Sequence, residues 1–297
     1  MEGILATVKI FAAFLVLVIL GALIFFLQKF RDDFADPDKS GNRSLEKIIE
    51  DNESTDFEPG QHEFKRALEY IALERLDEAR EKLLFIQNLY PNSSNAPEAR
   101  RILGEINLDE ILSIENMSNK TIHKVASGEG YLHIANKYDT TMDCIMFLNG
   151  FTELASLHKG DELVVMPLDF KLMVNLDKGR VELFHRDDEK KEHVFAKSYP
   201  IQKIDLGSLK IGAYQATIRR KLGEMGGRTY PPTHSNFRHA LKVLGFYINK
   251  NYAQFRPVPA ADAEDPGQGI FLRNSDMEEL SMLIRVGNEV EVKLVGS

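Results

Sequence analysis

Eighteen consecutive residues, Ile10 to Leu27 (IFAAFLVLVILGALIFFL), carry no charge, and the apolar character reaches back through Leu5 with Lys9 as its one interruption. At a rise of about 1.5 Å per residue, such a helix nearly spans a hydrocarbon core of about 30 Å. A cleavable signal peptide would have a shorter apolar run followed by an A-x-A-like site, and neither is present. Residues 4–28 therefore read as an uncleaved single-pass transmembrane anchor, with Lys9 able to snorkel toward the headgroups. Lys29 and Arg31 follow the span, while only the amino terminus and Lys9 precede it, so charge alone leaves the orientation open.

Whatever follows the anchor is tethered. Residues 29–60 read as an acidic linker broken by Pro37, Gly41, Pro59 and Gly60, with at most one short helix from Ser44 to Asp51. Between Arg31 and Gly60 ten acidic residues face four basic ones, so most of the chain's net charge of −8 sits there. The acidic balance gives no support to nucleic-acid binding. A single cysteine, Cys144, excludes an intrachain disulfide framework and a cysteine-based zinc site. The eight histidines are scattered; His234 and His239, five apart, are poorly spaced for one helix face. No metal or cofactor is expected. The 297 residues are enough for two or three small domains.

From Gln61 the periodicity becomes helical. One helix is expected over His62–Leu73, and a second, capped by Asp77, ends near Tyr90 with Ala79, Leu83, Ile86 and Tyr90 on one face. Pro91 stops it, and Pro97 opens a third ahead of Ile102, Leu103 and Ile106. The placement of Ala67, Tyr70, Ala79, Leu83 and Pro91 resembles one tetratricopeptide unit followed by half of another. One and a half repeats cannot form a long peptide groove, so residues 61–115 read as a helical spacer or a surface for a protein partner.

His123 to Pro167 then reads as strand, Gly-rich turn, two short helices (Tyr131–Tyr138 and Thr141–Leu148), loop and strand, a βααβ unit with Cys144 in its core. Residues 121–167 resemble a LysM domain. Gly128-Glu129-Gly130-Tyr131 stands at the family's G-D-S-L turn, and His133-Ile134-Ala135 at its x-I-A. Asn149-Gly150 closes the second helix, and Leu157-His158-Lys159-Gly160-Asp161 precedes the last strand. The resemblance implies binding of N-acetylglucosamine-containing glycan, chiefly peptidoglycan or chitin, in a shallow groove. Carried over by position, the groove would be lined by Gly128, Glu129, Gly130, Tyr131, Asn149, Gly150, Phe151 and Leu157. Gly130 replaces the usual Ser or Thr and removes a hydroxyl, and Lys159 replaces a proline. A single module of this kind binds weakly, and membrane tethering would supply avidity.

From Lys171 the pattern changes to a strand meander around Asp177-Lys178-Gly179. Residues 171–295 resemble the L,D-transpeptidases that cross-link peptidoglycan stems. Ser198-Tyr199-Pro200-Ile201 stands at the family's Y-P-V-G, and Gly212 and Tyr214 survive from its T-P-T-G-x-F. Leu244 to Ile248 matches L-G-x-R-W-I. Asn274-x-Asp276-x-Glu278-Glu279-Leu280 matches N-x-D-x-x-E-L, and Val286 to Val290 matches V-G-T-P-V. Counting back from Asn274, the catalytic S-x-G-C-[IV]-R-[LM] places Gly269 at the cysteine, Gln268 at the preceding glycine and Phe271 at the arginine. The family's reaction needs a cysteine thiolate and a histidine base. No histidine lies between Gly245 and Gly269, where Asn249 or Phe255 would stand in its place. Ser198, Ser208, Ser235, Thr233, His234 and His239 are the substitutes the sequence offers.

The fold class expected is therefore α+β and multidomain: anchor, linker, helical segment, βααβ module and mainly-β C-terminal domain. The function the resemblances imply is a peptidoglycan-binding protein with a catalytically inactive transpeptidase-like domain. Its soluble domains would lie in the periplasm or cell wall, on the outer side of the cytoplasmic membrane. The alternatives are an active L,D-transpeptidase or carboxypeptidase using unrecognised residues, and a scaffold whose helical segment docks a partner.

Overall fold

The computed structural model describes residues 58–187, 191–207, 211–259 and 267–294. The expected anchor over 4–28, nearly all of the linker over 29–60 and the short helix from Ser44 to Asp51 lie outside these residues. Among the described residues no helix is long and apolar enough to cross a membrane. The class is α+β, with six α-helices among the described residues and a mainly-β C-terminal part.

Helix α1 (Gln61–Ala72) is followed after three residues by α2 (Leu76–Leu89), and α3 (Ala96–Leu112) carries Pro97 in its first turn. Ala67, Ala79, Leu83, Ile86, Ala96, Ala99, Leu103 and Ile106 meet in one cluster. These small and branched residues recur at helical spacing, so three amphipathic faces can close on each other. Asp77 does not cap α2 as expected. Arg75 takes the cap position without a side-chain bond, and Asp77 falls in the first turn beside Glu78. There both carboxylates still face the positive end of the helix.

The βααβ unit is as the spacing predicts: β1 (Thr121–Lys124), α4 (Tyr131–Lys137), α5 (Met142–Leu148) and β2 (Glu162–Val165). The two strands pair antiparallel, Thr121 opposite Val165 and Lys124 opposite Glu162. Thr141 caps α5 by accepting from the Cys144 amide at 3.0 Å, and the Cys144 thiol lies fully buried.

The C-terminal part holds two sheets. The first has five strands in the order β5-β4-β3-β13-β7, built from β3 (Phe170–Asn175), β4 (Arg180–Asp187), β5 (Glu192–Pro200), β7 (Gly212–Thr217) and β13 (Glu289–Leu294). The second has six in the order β6-β12-β11-β10-β8-β9, built from β6 (Lys203–Asp205), β8 (Arg220–Met225), β9 (Arg228–Tyr230), β10 (Leu241–Ile248), β11 (Asn251–Pro257) and β12 (Gly269–Leu272). The expected meander is β3-β4-β5. The last strand, β13, runs parallel to β3 and inserts between it and β7. Helix α6 (Asn274–Leu283) packs on β10 and β11.

Leu172, Val174, Val181 and Leu183 of the first sheet share one core with Leu244, Phe246, Phe255, Ile270 and Leu272 of the second. Each such side chain contributes about 1.5–3 kcal/mol by leaving water. Leu108 and Leu112 of α3, and Cys144 and Leu148 of α5, enter the same core. Residues from Pro59 onward accordingly form one compact unit.

Candidate functional site

The turn between β1 and α4 is built around a carboxylate. Glu129 Oε2 accepts from the Ala126 amide at 2.7 Å and lies 2.9 Å from His123 Nε2. A carboxylate only accepts, so Nε2 carries the proton, and in the neutral ring Nδ1 accepts from the Tyr138 hydroxyl at 3.0 Å. His123 is buried. The Ala126 amide holds the Glu129 carboxyl below its ordinary range, with His123 adding to the effect. Glu129 therefore braces the turn that carries Gly128 and Gly130. Gly128 adopts φ +80°, and a Cβ at either glycine would meet nothing within 4 Å.

On the other side of the module, Asn149 ends α5 and spends its amide on the fold. Its Nδ2 donates to the Ile145 and Val164 carbonyls at 2.7 and 2.9 Å, and its Oδ1 accepts from the Val164 amide at 2.9 Å. Gly150 follows at φ +68°, again with open space where a Cβ would stand. Phe151 and Leu157, half-buried, pack on the same cluster as the buried Tyr131. Burial pushes the Tyr131 hydroxyl up, and it has no hydrogen-bond partner among the described residues.

Of the eight residues expected to line a groove, the structure gathers Tyr131, Phe151 and Leu157 on one apolar cluster. Gly128, Gly130 and Gly150 leave their backbones accessible. Glu129 and Asn149 hold the two turns in place. That bracing role was not legible in the motif, though the buried histidine three residues before Ala126 is its sequence trace.

The second place the sequence marks is Gly269. It opens β12, pairing with Asp205 of β6, while the next residues run parallel to β11, Ile270 opposite Phe255 and Phe271 opposite Arg256. Gly269 is buried, and a Cβ there would stand 2.8 Å from the Gln254 carbonyl oxygen and 3.4 Å from Gln254 Cγ. Two strands over, in β10, a Cβ on Gly245 would run into the Tyr252 ring. The two glycines flank Gln254 in one cross-strand row, since Gly245 is itself opposite Gln254. Neighbouring chain fills the space that a side chain at either position would need.

Phe271 is fully buried, with Lys203 Nζ 5.2 Å above its ring. On its register partner, Arg256 Nη2 donates to Glu224 at 2.7 Å across the sheet. The alternation Gln254-Phe255-Arg256 was the sequence signal for this polar face. Phe255 stacks on Phe246 in the core, and Asn249 sits in the β10–β11 turn at φ +57°. His234 accepts from the Asn236 amide, and Ser198 lies in β5; Ser208 is outside the described residues.

The motifs downstream of Gly269 hold the fold. Glu279 accepts from the Tyr199 hydroxyl at 2.8 Å and pairs with Lys197, whose ammonium also reaches Glu105 at 2.6 Å. Burial, then the Glu279 charge, pushes the Tyr199 hydroxyl well up. Glu278 pairs with the buried Lys242 at 2.9 Å. Asn288 donates to the Leu168 and Phe170 carbonyls at 3.0 and 2.8 Å, pinning the entry to β3. Lys221, wholly buried, donates to the Ser281 and Ile284 carbonyls at the end of α6, and burial brings its ammonium down to about 8.

No family model matches the chain, and no curated protein matches it. Among solved structures, the Bdellovibrio bacteriovorus protein Bd1075 is similar at 14% identity and a TM-score of 0.31, over 42% of this chain and 47% of that one. A fused Zn-dependent amidase/peptidase/peptidoglycan-binding domain-containing protein from Clostridium acetobutylicum is similar at 11% identity and a TM-score of 0.28, over 42% and 51%. The chain thus spans about half the length of each, and likeness at this level carries neither fold nor function across.

Proposed function

We propose that this chain is a membrane-anchored, peptidoglycan-binding protein of the bacterial cell envelope, with a C-terminal L,D-transpeptidase-like domain that has lost catalysis. Residues 4–28 hold it in the cytoplasmic membrane, and the βααβ module, as a LysM domain, takes N-acetylglucosamine-containing glycan outside it. The observation that carries the reading is the clustering of Tyr131, Phe151 and Leu157 beside the accessible backbones of Gly128, Gly130 and Gly150. Apolar side chains can cover sugar faces, and tight-turn amides and carbonyls can meet acetamido groups. The packing of Gln254 over Gly269 supports the inactive reading, because a side chain cannot be accommodated there without moving backbone.

Co-sedimentation of the full chain in detergent with insoluble peptidoglycan tests it. Gly130 has an ordinary φ and open space, so Gly130→Trp blocks the groove without disturbing the turn. Pelleting of the native chain and its loss in Gly130→Trp are expected. A native chain that stays in the supernatant at low salt sinks the proposal, and new cross-links or trimmed stems in the muropeptides would overturn the inactive assignment.

A further inference from the structure

Four strands stand at the outer positions of the two C-terminal sheets: β5 and β7 in the first, β6 and β9 in the second. Three of them are guarded. Helix α3 lies along β5, where Asn107 Nδ2 donates to the Phe195 carbonyl at 3.0 Å and a Cβ on Gly104 would stand 3.1 Å from Lys197 Cα. Strands β6 (Lys203-Ile204-Asp205) and β9 (Arg228-Thr229-Tyr230) have three residues each and carry charge. Covered, short or charged edges keep sheets from pairing further. Strand β7, Gly212-Ala213-Tyr214-Gln215-Ala216-Thr217, has six residues, no charge and no proline. Among the described residues β13 is its one strand partner.

The backbone groups that β7 leaves over follow from the residues after it. The Ile218 amide donates to the Asn288 carbonyl at 2.9 Å, and the Gly287 amide donates to the Ile218 carbonyl at 2.8 Å. Ile218 therefore faces the β13 side, and antiparallel alternation turns Ala216 and Tyr214 the same way. The N–H and C=O of Ala213, Gln215 and Thr217 point away from β13. Arg219, next in that series, donates its amide to the Gly245 carbonyl of β10 at 2.8 Å, so the second sheet takes the far end of the strand. Ala213 and Gln215, both exposed, are the open part of the edge.

The charges beside the edge select the occupant. Tyr214 and Ala216 pack on the core, so Ala213 and Gln215 lie on the outer face, opposite Lys293 and Glu291 of β13. Lys293 Nζ is 3.0 Å from Glu291, which Lys171 also reaches at 3.1 Å, and Lys171 lies 3.9 Å from Glu289. Two lysines and two glutamates leave this face without net charge. A second β7, laid antiparallel with its Ala213 opposite Gln215, makes a row running Glu291, Gln215, Ala213, Lys293, the last two from the second copy. Each row then ends in opposite charges. Opposing Gln215 to itself would end the row in Glu291 on both sides. Arg219 and Arg220 follow β7 at the end away from the centre of this pairing, so the two copies keep them apart.

We propose that two copies of this chain associate through β7, antiparallel about a two-fold axis beside Tyr214, joining their five-stranded sheets into one. Ala213 and Gln215 of each copy exchange both backbone hydrogen bonds with Gln215 and Ala213 of the other, which is the self-complementary contact a two-fold axis requires. This surface is independent of the glycan groove.

The test is sedimentation equilibrium of the full chain in density-matched detergent, where the native chain should show a reversible dimer. The Gln215 N–H points away from β13, so Gln215→Pro removes an edge donor and leaves the β7–β13 ladder in place. It should raise the dimer dissociation constant at least about tenfold. Cross-linking reads the register. Chains with Ala213→Cys mixed with chains with Gln215→Cys bring paired Cα atoms to about 5.5 Å, within disulfide reach. Either variant alone leaves its cysteines at about 7–8 Å. Cys144, fully buried, does not compete. Mild oxidation should therefore link the mixture far more than either variant alone. A monomeric native chain, a dimer that survives Gln215→Pro because residues 4–28 hold it, or equal cross-linking in all three samples would each overturn the proposal.

Discussion

The two regions that the sequence marks with glycine use it for opposite reasons. At Gly128, Gly130 and Gly150 nothing lies within 4 Å of where a Cβ would be, and two of the three adopt positive φ. At Gly269 and Gly245 the backbone is extended, and the missing Cβ makes room for Gln254 and Tyr252. The first set keeps backbone exposed, while the second lets neighbours close over it. A glycine cluster therefore says little about a site until its surroundings are known. The βααβ turns are open and braced from below by Glu129 and Asn149, whereas the row through Gly269 is filled.

The largest expected effect comes from forcing a side chain into the filled region. Gly269→Cys drives a Cβ against the Gln254 carbonyl oxygen, which only backbone movement relieves, and should cost about 3 kcal/mol. Denaturant unfolding would measure it, and muropeptide products should remain unchanged. A neutral substitution would show that the region is open after all.

Next is the brace behind that region. Glu279→Ala leaves the Tyr199 hydroxyl without its acceptor and Lys197 with one carboxylate fewer. A loss of about 2 kcal/mol is expected. An unchanged denaturant midpoint would contradict the fold-holding role of this motif.

pH separates the regions in a different way. Unfolded, Lys221 keeps its proton to about 10.5, but in the fold it releases it near about 8. Between those values the unfolded state binds more protons, so the contribution of Lys221 to stability rises with pH. The stability of the native chain relative to Lys221→Met should therefore increase from pH 8 toward 10.5. Glu129, also shifted down, has the same sense in a more acidic window. Its carboxylate stabilises the fold at neutral pH, and that contribution is lost as acid protonates it. Denaturant midpoints across the pH range would show both, and a flat difference for Lys221→Met would rule out its burial as a charged group at neutral pH.

The smallest effect is at the open turn. Gly130 sits at the cap of α4 in an extended conformation with free space, so Gly130→Ser adds a capping oxygen. A gain of a few tenths of a kcal/mol, roughly, is expected, together with tighter peptidoglycan co-sedimentation from the added hydroxyl. Weaker binding would place the ligand elsewhere.

Much of the fold was legible. Helical spacing of Ala67, Ala79, Leu83 and Ile86 placed the helical pair, and Pro97 marked the start of α3. The Asp177-Lys178-Gly179 turn announced the β3-β4 hairpin. Local patterns succeed where one face is buried and the other wet, because burial then imposes a period. Asp77 misled because a carboxylate near a helix start is favoured at the cap and in the first turn alike. The bracing of the turn by His123 and Glu129 joins residues six apart through a buried ring, which no spacing rule encodes. Arg256 opposite Phe271 depends on the register of β11 against β12, and so was invisible in the linear order.

By itself, the chain's sequence determined the βααβ unit, the strand meander and the lack of any cysteine or histidine between Gly245 and Gly269. Each of these is set by local composition and period. Tertiary structure alone decided that Gly128 and Gly130 face open space while Gly269 lies under Gln254. It also decided that α3 and α5 complete the core of the sheets, and that α3 covers the β5 edge while Ala213 and Gln215 of β7 stay exposed. Packing brings distant segments to within a few ångströms of one another, and at that range a single missing Cβ is either exposed backbone or the space into which a neighbour fits.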